Sequence, residues 1–363
     1  MPLTQEDLLA WLREDDPGRL EQLWQRADAV RRETIGDAVH LRGLLEISNH
    51  CCRMCTYCGL RAGNHEISRY RMNEKEIMAC VFRAVTLGYG TVVLQAGEDY
   101  GIKSRWLAGI VRRIKSETPL AVTLSMGERP DEDLALWRAA GANRYLLRFE
   151  TSDPALYHLI HPPKPGKNQH RTAIAQTLKQ LGYETGSGVM VGIPGQSYDN
   201  LARDIHLFKQ LDLDMVGVGP YIPHPATPMG QNQPQKPASH EQVPNTGLMT
   251  YKAIALTRLV CPEANIPATT ALATINGADG IKTGLRRGAN ILMPNITPLQ
   301  YRRLYEIYPQ KACIESEDAP PEPQGPQKNQ DGLYQWISEI GRSVGAGHGS
   351  RRHGRTNQFS KIV

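Results

Sequence analysis

The feature that most constrains the fold is a regular alternation, from Leu41 onward, of short apolar runs with longer amphipathic stretches. Short apolar runs in this setting predict strands, and the stretches between them are long enough for helices. Such an alternation over about 270 residues predicts a (β/α)₈ barrel, which typically needs about 250. A doubly wound open sheet is the structural alternative. Eight strands are expected, at 41–48, 91–95, 120–125, 143–149, 187–193, 214–221, 266–270 and 289–293.

Several helix ends can be read from the sequence. Asn73 followed by Glu76 has the form of a capping box before an apolar-periodic run. Gly88, Gly141 and Gly182 stand where helices are expected to end. In either architecture the chemistry is expected at the carboxyl ends of the strands.

The chain divides into three predicted regions. Residues 1–40 form an N-terminal helical flank, because the apolar residues of 4–34 recur at helical spacing. Residues 41–310 form the barrel. Residues 311–363 form a C-terminal extension: a linker rich in Pro, Gln and Gly around 318–330, a short helix near 332–341, and a basic tail.

Composition excludes several classes of protein. With 40% hydrophobic and 22% charged residues, the chain has the balance of a globular protein. The net charge of +5 resides entirely in residues 341–363, so nothing favours a nucleic-acid-binding face on the body, and a solvated tail is expected. The N-terminus is acidic and no run of 18 apolar residues occurs, so we expect a cytoplasmic protein without membrane contact.

Four of the seven cysteines, Cys51, Cys52, Cys55 and Cys58, lie together immediately after the first predicted strand. This density predicts a metal site on a loop. A structural zinc site usually uses two separated cysteine pairs, and the remaining cysteines are isolated in the sequence. A zinc loop completed by His50 or Cys52 nevertheless stays open.

The spacing C-x₃-C-x₂-C from Cys51 supplies three thiolates for a 4Fe-4S cluster and leaves one iron open. That iron can chelate the amine and carboxylate of S-adenosylmethionine (SAM), so that an electron from the cluster cleaves the sulfonium to a 5′-deoxyadenosyl radical. Tyr57 would form a shelf beside the adenine. The spacing C-x₂-C-x₂-C from Cys52 is also possible.

Nine segments across the predicted barrel resemble radical SAM enzymes, and more closely the HydE family of FeFe-hydrogenase maturases. They include LRGLLEISNHCCRMCTYCGLR (41–61), VVLQAGED (92–99), VTLSMGE (122–128), RYLLRFET (144–151) and ANILMPNITPLQYRRLYEIYP (289–309). Biotin synthase and methylornithine synthase share the barrel and the cysteine motif. The resemblance implies that Cys51, Cys55 and Cys58, rather than Cys52, hold the cluster.

The resemblance also implies a SAM site at the strand ends. Gly97 and Glu98 would receive the methionine amine, and Arg148, Glu150 and Arg171 would bracket its ammonium and carboxylate through charge-assisted hydrogen bonds. For Arg171 a surface ion pair is the alternative. The backbone of Gly192 and Ile193 would face the adenine, although a simple tight turn also explains that segment.

A substrate cavity deeper in the barrel is implied as well. Small hydroxyls beside arginines suit a compact anionic ligand within reach of the adenosyl carbon. His224 is expected near the entrance, with a purely structural role as the alternative. The residues implied are Arg42, Gln95, Thr123, Arg144, Thr269, Thr270, Met293, Tyr301 and Tyr305.

The resemblance finally implies a role in assembly of the diiron site of FeFe hydrogenase. The substrate would be a small iron complex carrying cysteine, carbonyl and cyanide, and the partners an electron donor such as ferredoxin or flavodoxin and other maturases. Because only Cys313 follows the barrel, a single cluster is expected. The alternatives are an amino-acid mutase like methylornithine synthase, a sulfur-inserting enzyme like biotin synthase, or a metal-stabilised interaction protein.

Overall fold

The computed structural model describes residues 3–163, 170–231, 241–311 and 327–351. Two helices precede the first strand, α1 (Gln5–Arg13) and α2 (Pro17–Thr34), and they pack against helices on the outside of the barrel. None of the described helices combines the length and apolarity needed to cross a membrane.

Seven parallel strands follow one another around the molecule. In the sheet they lie in the order β6-β5-β4-β3-β2-β1-β7, and neighbouring strands of this series run parallel. The strands are β1 (Ala38–Ser48), β2 (Thr91–Ala96), β3 (Ala121–Ser125), β4 (Arg144–Leu146), β5 (Glu184–Val191), β6 (Met215–Pro220) and β7 (Ile291–Leu292).

The gap between β6 and β7 is closed without a full strand. Asn265 bridges to Met215 and Pro267 bridges to Ile291, both in parallel sense. The predicted strand over 266–270 is therefore wrong in extent, because Thr269 already caps a helix. The rest of the alternation is confirmed, and the fold is the expected barrel of the TIM type.

Helices on the outside cover the sheet. The predicted capping box is confirmed: Asn73 and Glu76 bond each other's backbone N–H groups. Gly88, Gly141 and Gly182 follow helix ends with positive φ, as predicted. The helices are α3 (Glu74–Thr86), α4 (Ser104–Glu117), α5 (Asp131–Ala139), α6 (Pro154–Ile160), α7 (Arg171–Gln180), α8 (Tyr198–Gln210), α9 (Pro228–Gln231), α10 (Gly247–Val260), α11 (Thr270–Arg286), α12 (Leu299–Arg302) and α13 (Gln327–Glu339).

The C-terminal segment closes the amino ends of the strands. A short strand, β8 (Ser343–Val344), pairs with Ala38 and Val39 at the start of β1. Beyond it the chain runs so close to β2 that a Cβ on Gly90 would lie 1.7 Å from the carbonyl oxygen of Gly347. The expectation of a solvated tail is therefore wrong for residues 342–351. Residues 352–363 and most of the predicted linker lie outside the described part of the chain.

Candidate active site

A cavity of about 330 Å³ lies at the carboxyl ends of the strands. Residues at or near the ends of several strands line it, among them Glu46 of β1, Gln95 of β2, Leu146 of β4 and Pro220 of β6. The loop that follows β1 and the segment 305–311 contribute further walls. The cavity is thus at the end of the barrel where chemistry was expected.

Cys51 and Cys52 are adjacent in the sequence, but the cysteine loop directs their side chains to different places. Cys51, Cys55 and Cys58 all line the cavity. Cys52 does not line it; its side chain is exposed and its thiol lies 3.7 Å from a carboxylate oxygen of Glu98. Three thiols at the C-x₃-C-x₂-C spacing therefore share one wall.

Backbone hydrogen bonds hold this loop between two other segments. The N–H of Thr56 donates to the carbonyl of Ile160 at 3.0 Å, and the N–H of Gly59 donates to that of Ile307 at 3.0 Å. These contacts fix the loop against the end of α6 and against the segment that follows α12.

Gly97 at the end of β2 allows the strand to approach the loop. A Cβ there would lie 2.3 Å from the carbonyl oxygen of His50 and 2.9 Å from the Cβ of Cys51, so only glycine fits. The next residue, Glu98, is 3% exposed, and its N–H donates to the Cys51 thiol at 3.4 Å. This glycine brings a buried carboxylate beside the thiols.

Burial dominates the electrostatics of the thiols. It raises the pKa of Cys55 to about 12, although the nearby Arg171 lowers it, and it also raises the pKa of Cys58. The buried thiolates would therefore need a cation to stabilise them. Within the described ranges, no three His, Cys, Asp or Glu side chains converge to hold a single metal ion.

Arg171, at the start of α7, is the centre of a buried ion network. Its Nε donates to a Glu128 oxygen at 2.9 Å, and one Nη donates to the carbonyl of Arg148 at 2.8 Å. The other Glu128 oxygen lies 3.5 Å from Arg53 of the cysteine loop. Arg171 is only 8% exposed, so the alternative of a surface ion pair is wrong.

Glu150 has a strained backbone, with φ at +65° in a residue other than glycine. Its carboxylate is buried and pairs with Arg148 at 3.1 Å. Burial raises the pKa of this carboxyl, and Arg148 and Arg171 oppose the rise. Strain of this kind costs about 1 to 3 kcal/mol and is typical of functional sites.

The ring of Tyr57 is fixed from behind by a histidine. Its hydroxyl and Nε2 of His161 share a hydrogen bond of 3.1 Å, and the two rings meet edge to face. Burial, helped by Arg171, lowers the pKa of His161 well below its usual value, which keeps the imidazole neutral. Tyr57 thus presents an ordered aromatic surface to the cavity.

Comparison with known proteins identifies this arrangement. Residues 45–208 match the model of the Radical SAM superfamily. Over 315 residues the chain is 45% identical to the FeFe hydrogenase maturase subunit HydE of Thermotoga maritima, covering 87% of this chain and 86% of the relative. The chain belongs to the radical SAM superfamily. It is an enzyme of this type.

A second relative and two solved structures are also similar to this chain, and the structures share its fold. The chain is 30% identical to 3-methylornithine synthase of Methanosarcina acetivorans over 80% of this chain and 79% of that one. The crystal structure of methylornithine synthase (PylB) superposes with a TM-score of 0.76 over 95% of both chains, at 24% identity. That of the hydrogenase maturase HydG from Carboxydothermus hydrogenoformans gives 0.72 at 18% identity, covering 94% of this chain and 75% of that one.

The structure places six of the eight residues expected at the SAM site on the cavity wall, and Gly192 and Ile193 elsewhere. The N–H groups of both donate to Oε1 of Gln196, at 2.7 and 3.4 Å, so they do not face a ligand. A Cβ on Gly192 would lie 2.3 Å from Cα of Asn245. The alternative of a simple tight turn describes this segment. The six are Tyr57, Gly97, Glu98, Arg148, Glu150 and Arg171.

Five of the nine residues expected in the substrate cavity of this radical SAM enzyme line it. They supply an amide, hydroxyl groups and a thioether. Their contact with a substrate stays a prediction. They are Gln95, Thr269, Thr270, Met293 and Tyr305.

Arg42 and Arg144 lie at the opposite end of the barrel, so their predicted place in the cavity is wrong. Arg42 donates to the carbonyl of Gly349 at 2.9 Å, and Arg144 donates to Oγ of Ser350 at 2.8 Å. Arg144 also pairs with Glu184 at 2.7 Å. Both arginines bind the C-terminal segment.

Two further expectations are also wrong in position, and a third is not tested. Thr123 is buried at the middle of β3, below the cavity. Tyr301 stacks on another tyrosine outside the cavity and donates to Glu76 at 2.7 Å. His224 is buried, and its Nε2 lies 3.4 Å from an oxygen of Glu306; it does not line the cavity, and its place near the entrance stays a prediction.

Four charged residues of the site were not anticipated from the sequence. Glu128 pairs with Arg53 of the cavity wall, and Glu46 and Lys311 form a second buried pair that lines the cavity itself. A signal existed for two of them, because Glu46 lies near the end of β1 and Glu128 shortly after β3. A carboxylate at the carboxyl end of a barrel strand is itself an indication of function.

Proposed function

We propose that this enzyme reductively cleaves SAM and acts in the assembly of the diiron site of FeFe hydrogenase. One observation carries the proposal: three thiols, Tyr57 and the Arg148, Glu150 and Arg171 group line the same cavity. The identity of 45% to HydE supports the choice of pathway. The substrate would be a small iron complex carrying cysteine, carbonyl and cyanide.

Cys51, Cys55 and Cys58 would hold one 4Fe-4S cluster, and the donor set fits that group. The three thiols share one wall, and burial raises the pKa of the Cys55 and Cys58 thiols, so an iron cluster would supply the positive charge that their thiolates need. A zinc ion would instead need ligand atoms that converge on one point about 2.3 Å from each sulfur. Among the described residues, no three His, Cys, Asp or Glu side chains converge in this way. When bound and reduced, the cluster supplies the electron that cleaves SAM to a 5′-deoxyadenosyl radical.

The protein's own residues would bind and orient SAM. Arg171 would bind its carboxylate, while the buried carboxylates of Glu98 and Glu150 would accept its ammonium protons. Tyr57, fixed by His161, would support the adenine ring. Enclosure in a cavity of this kind excludes water and holds the reacting atoms close together.

Gln95, Thr269, Thr270, Met293 and Tyr305 would contact the iron complex. We propose that a ferredoxin or flavodoxin delivers the electron and that other maturases exchange substrate or product with this enzyme. These partners follow from the likeness to a protein whose name states its role in hydrogenase maturation.

The test begins with anaerobic reconstitution of the full chain and quantification of 5′-deoxyadenosine under reduction. Extract that contains hydrogenase and the other maturases but lacks this enzyme then receives the reconstituted protein. We expect restored hydrogenase activity from wild type and none from a Cys55→Ser variant. Formation of 5′-deoxyadenosine without any restoration would contradict the maturation role and leave SAM cleavage standing.

An amino-acid mutase remains the second candidate, because the chain is 30% identical to 3-methylornithine synthase. The lower identity makes it the weaker choice. It predicts conversion of a free amino acid to an isomer of equal mass. Liquid chromatography coupled to mass spectrometry, applied to reactions with the common amino acids, would separate and detect that product.

A further inference from the structure

A buried ion pair lies in the cavity wall on the side of β1 and β7. Glu46 is 1% exposed, and the ammonium of Lys311, whose side chain is 8% exposed, pairs with one of its oxygens. The other oxygen accepts a bond from the Asn295 amide at 3.1 Å. Lys311 also donates to the carbonyl of Tyr305 at 2.9 Å and lies over that ring.

Stability alone is a weak reason for such a pair. Removing two charges from water costs free energy that their mutual attraction often does not recover, and apolar replacements of similar volume are frequently neutral or stabilising. This pair borders the cavity directly. Its position therefore points to a ligand rather than to the core.

The other cationic side chains of the cavity pair with carboxylates on a different side of it. Arg171 and Arg53 bind Glu128, and Arg148 binds Glu150, next to the thiols and to β4. In the sheet, β4 is three strands away from β1. Lys311 thus provides positive charge at a separate part of the wall.

Hydroxyl groups line the same cavity as Lys311. Tyr308, three residues before Lys311 in the sequence, shares a hydrogen bond of 3.0 Å with Oγ1 of Thr270. Both residues line the cavity together with Thr269. An ammonium beside hydroxyl donors is the chemistry that binds a carboxylate in a place screened from water.

We infer that Lys311, positioned by Glu46, is a specificity-determining residue that binds the carboxylate of an amino-acid moiety in the substrate. The inference rests on the proposed function, in which the substrate contains cysteine. Glu46 fixes the ammonium, and Lys311 then distinguishes a free carboxylate from a neutral group of the same shape.

The probes for the test are L-cysteine and L-cysteinamide, which differ in that group. Calorimetry on the reconstituted, SAM-loaded full chain should show that wild type prefers L-cysteine. Lys311→Met should bind L-cysteine about 10-fold or more weakly and lose the preference. Lys311→Arg, which keeps the charge, should restore most of it.

Lys252 provides the matched control. It is also a buried lysine, paired with Asp15 at 3.0 Å, but it lies between α10 and α1 and away from the cavity. Lys252→Met should lower the unfolding temperature and leave the affinity for L-cysteine unchanged. An equal loss of affinity in both variants would overturn the inference, and so would a wild type that binds both probes alike.

The two proposals fail in different ways. Iron content and 5′-deoxyadenosine formation without probe are measured on the same wild-type sample. Their absence would contradict the proposed function itself. Their presence, combined with no discrimination between the probes, contradicts only the role of Lys311.

Discussion

The two ends of the barrel both contain buried arginines but use them differently. At the carboxyl ends, Arg171 lines a cavity and shares a carboxylate with Arg53. At the amino ends, Arg144 donates to Thr91, Glu184, the carbonyl of His348 and Ser350. One end is open to a ligand, and the other is filled by the chain's own C-terminal segment.

The difference shows that the type of partner, and not burial, decides what a buried arginine can do. Carbonyl and hydroxyl oxygens of residues 348–350 take the donors of Arg42 and Arg144 much as a ligand would. Arg351 completes the closure by pairing with Asp212, Asp214 and Glu263. Residues 342–351 therefore close the amino end of the barrel, and we call this segment the seal.

The largest expected difference concerns the thiols at the open end. Cys55→Ser should abolish the visible absorption of the iron cluster, whereas Cys52→Ser should leave about four irons per chain, because Cys52 does not line the cavity. Iron analysis and absorption after anaerobic reconstitution provide the measurement. Loss of the cluster in Cys52→Ser with retention in Cys51→Ser would reverse the ligand assignment.

The second prediction compares one arginine from each end. Arg171→Ala should weaken SAM binding by about 10-fold to 150-fold, since a charge-assisted bond is worth about 1.5 to 3 kcal/mol. Arg144→Ala should leave SAM affinity unchanged and lower the free energy of unfolding by about 1 to 3 kcal/mol. Titration calorimetry and denaturant unfolding on both reconstituted variants test this.

Equal losses of SAM affinity in Arg171→Ala and Arg144→Ala would contradict the assignment of ligand binding to the carboxyl end alone. Glu150→Ala offers an independent check at the open end, because it removes the partner of Arg148 without touching Arg171. It should also weaken SAM binding and retain iron.

The third prediction addresses the seal. Gly90→Ala places a Cβ 1.7 Å from the carbonyl of Gly347, so the C-terminal segment must move, at a cost of about 1 to 3 kcal/mol. Gly109→Ala on α4 is the control: its Cβ meets nothing within 4 Å, and alanine should stabilise the helix by about 0.5 to 1 kcal/mol. Unfolding in denaturant gives both values.

Hydrogen exchange then locates the effect. The N–H of Gly345, which donates to the carbonyl of Val39 at 2.9 Å, should lose protection in Gly90→Ala and keep it in Gly109→Ala. Unchanged protection would mean that the segment tolerates the displacement. A truncation after Ile340 should expose Arg42 and Arg144 and destabilise the barrel, because residues 348–350 accept hydrogen bonds from both arginines.

The barrel and the cysteine site were predictable because their signals are local. Strand and helix periods recur within a few residues, and three thiols on one loop need no knowledge of the rest of the chain. The expectation that functional residues lie at the carboxyl ends of the strands also places Gly97, Glu98 and Glu150 at the cavity, since each follows the end of a strand. Local signals of this kind can be recognised in a single sequence.

The misplaced residues show where such signals end. Arg42 precedes the end of β1 by six residues, which at about 3.3 Å per residue is about 20 Å below the cavity rim. Arg144 is the first residue of β4, whereas Arg148 follows that strand. The partners of Arg42 and Arg144 come from residues 348–350, and contacts across such a separation have no local pattern in the sequence.

The last expected difference between the two ends is in how the free energy of unfolding depends on pH. Asp204 on α8 accepts a bond of 2.6 Å from the N–H of Ser152, in the loop that follows Glu150, and burial raises its pKa to about 7. Because the folded state holds the proton more tightly than the unfolded chain, the stability that this proton contributes is fully present below the ordinary aspartate pKa of 3.8 and is lost as pH rises to about 7. The loss is at most about 1.4 kcal/mol per pH unit.

Asp204→Asn should flatten this decline in the free energy of unfolding between about pH 5 and about pH 7. The control is Asp212→Asn at the sealed end: burial opposes ionisation of Asp212, but Lys179 and Arg351 outweigh it and lower the pKa, so its contribution is complete above about pH 4. Unfolding in denaturant at several pH values measures both slopes. A slope that persists in Asp204→Asn and disappears in Asp212→Asn would place the titrating group at the seal and remove the pH difference between the two ends.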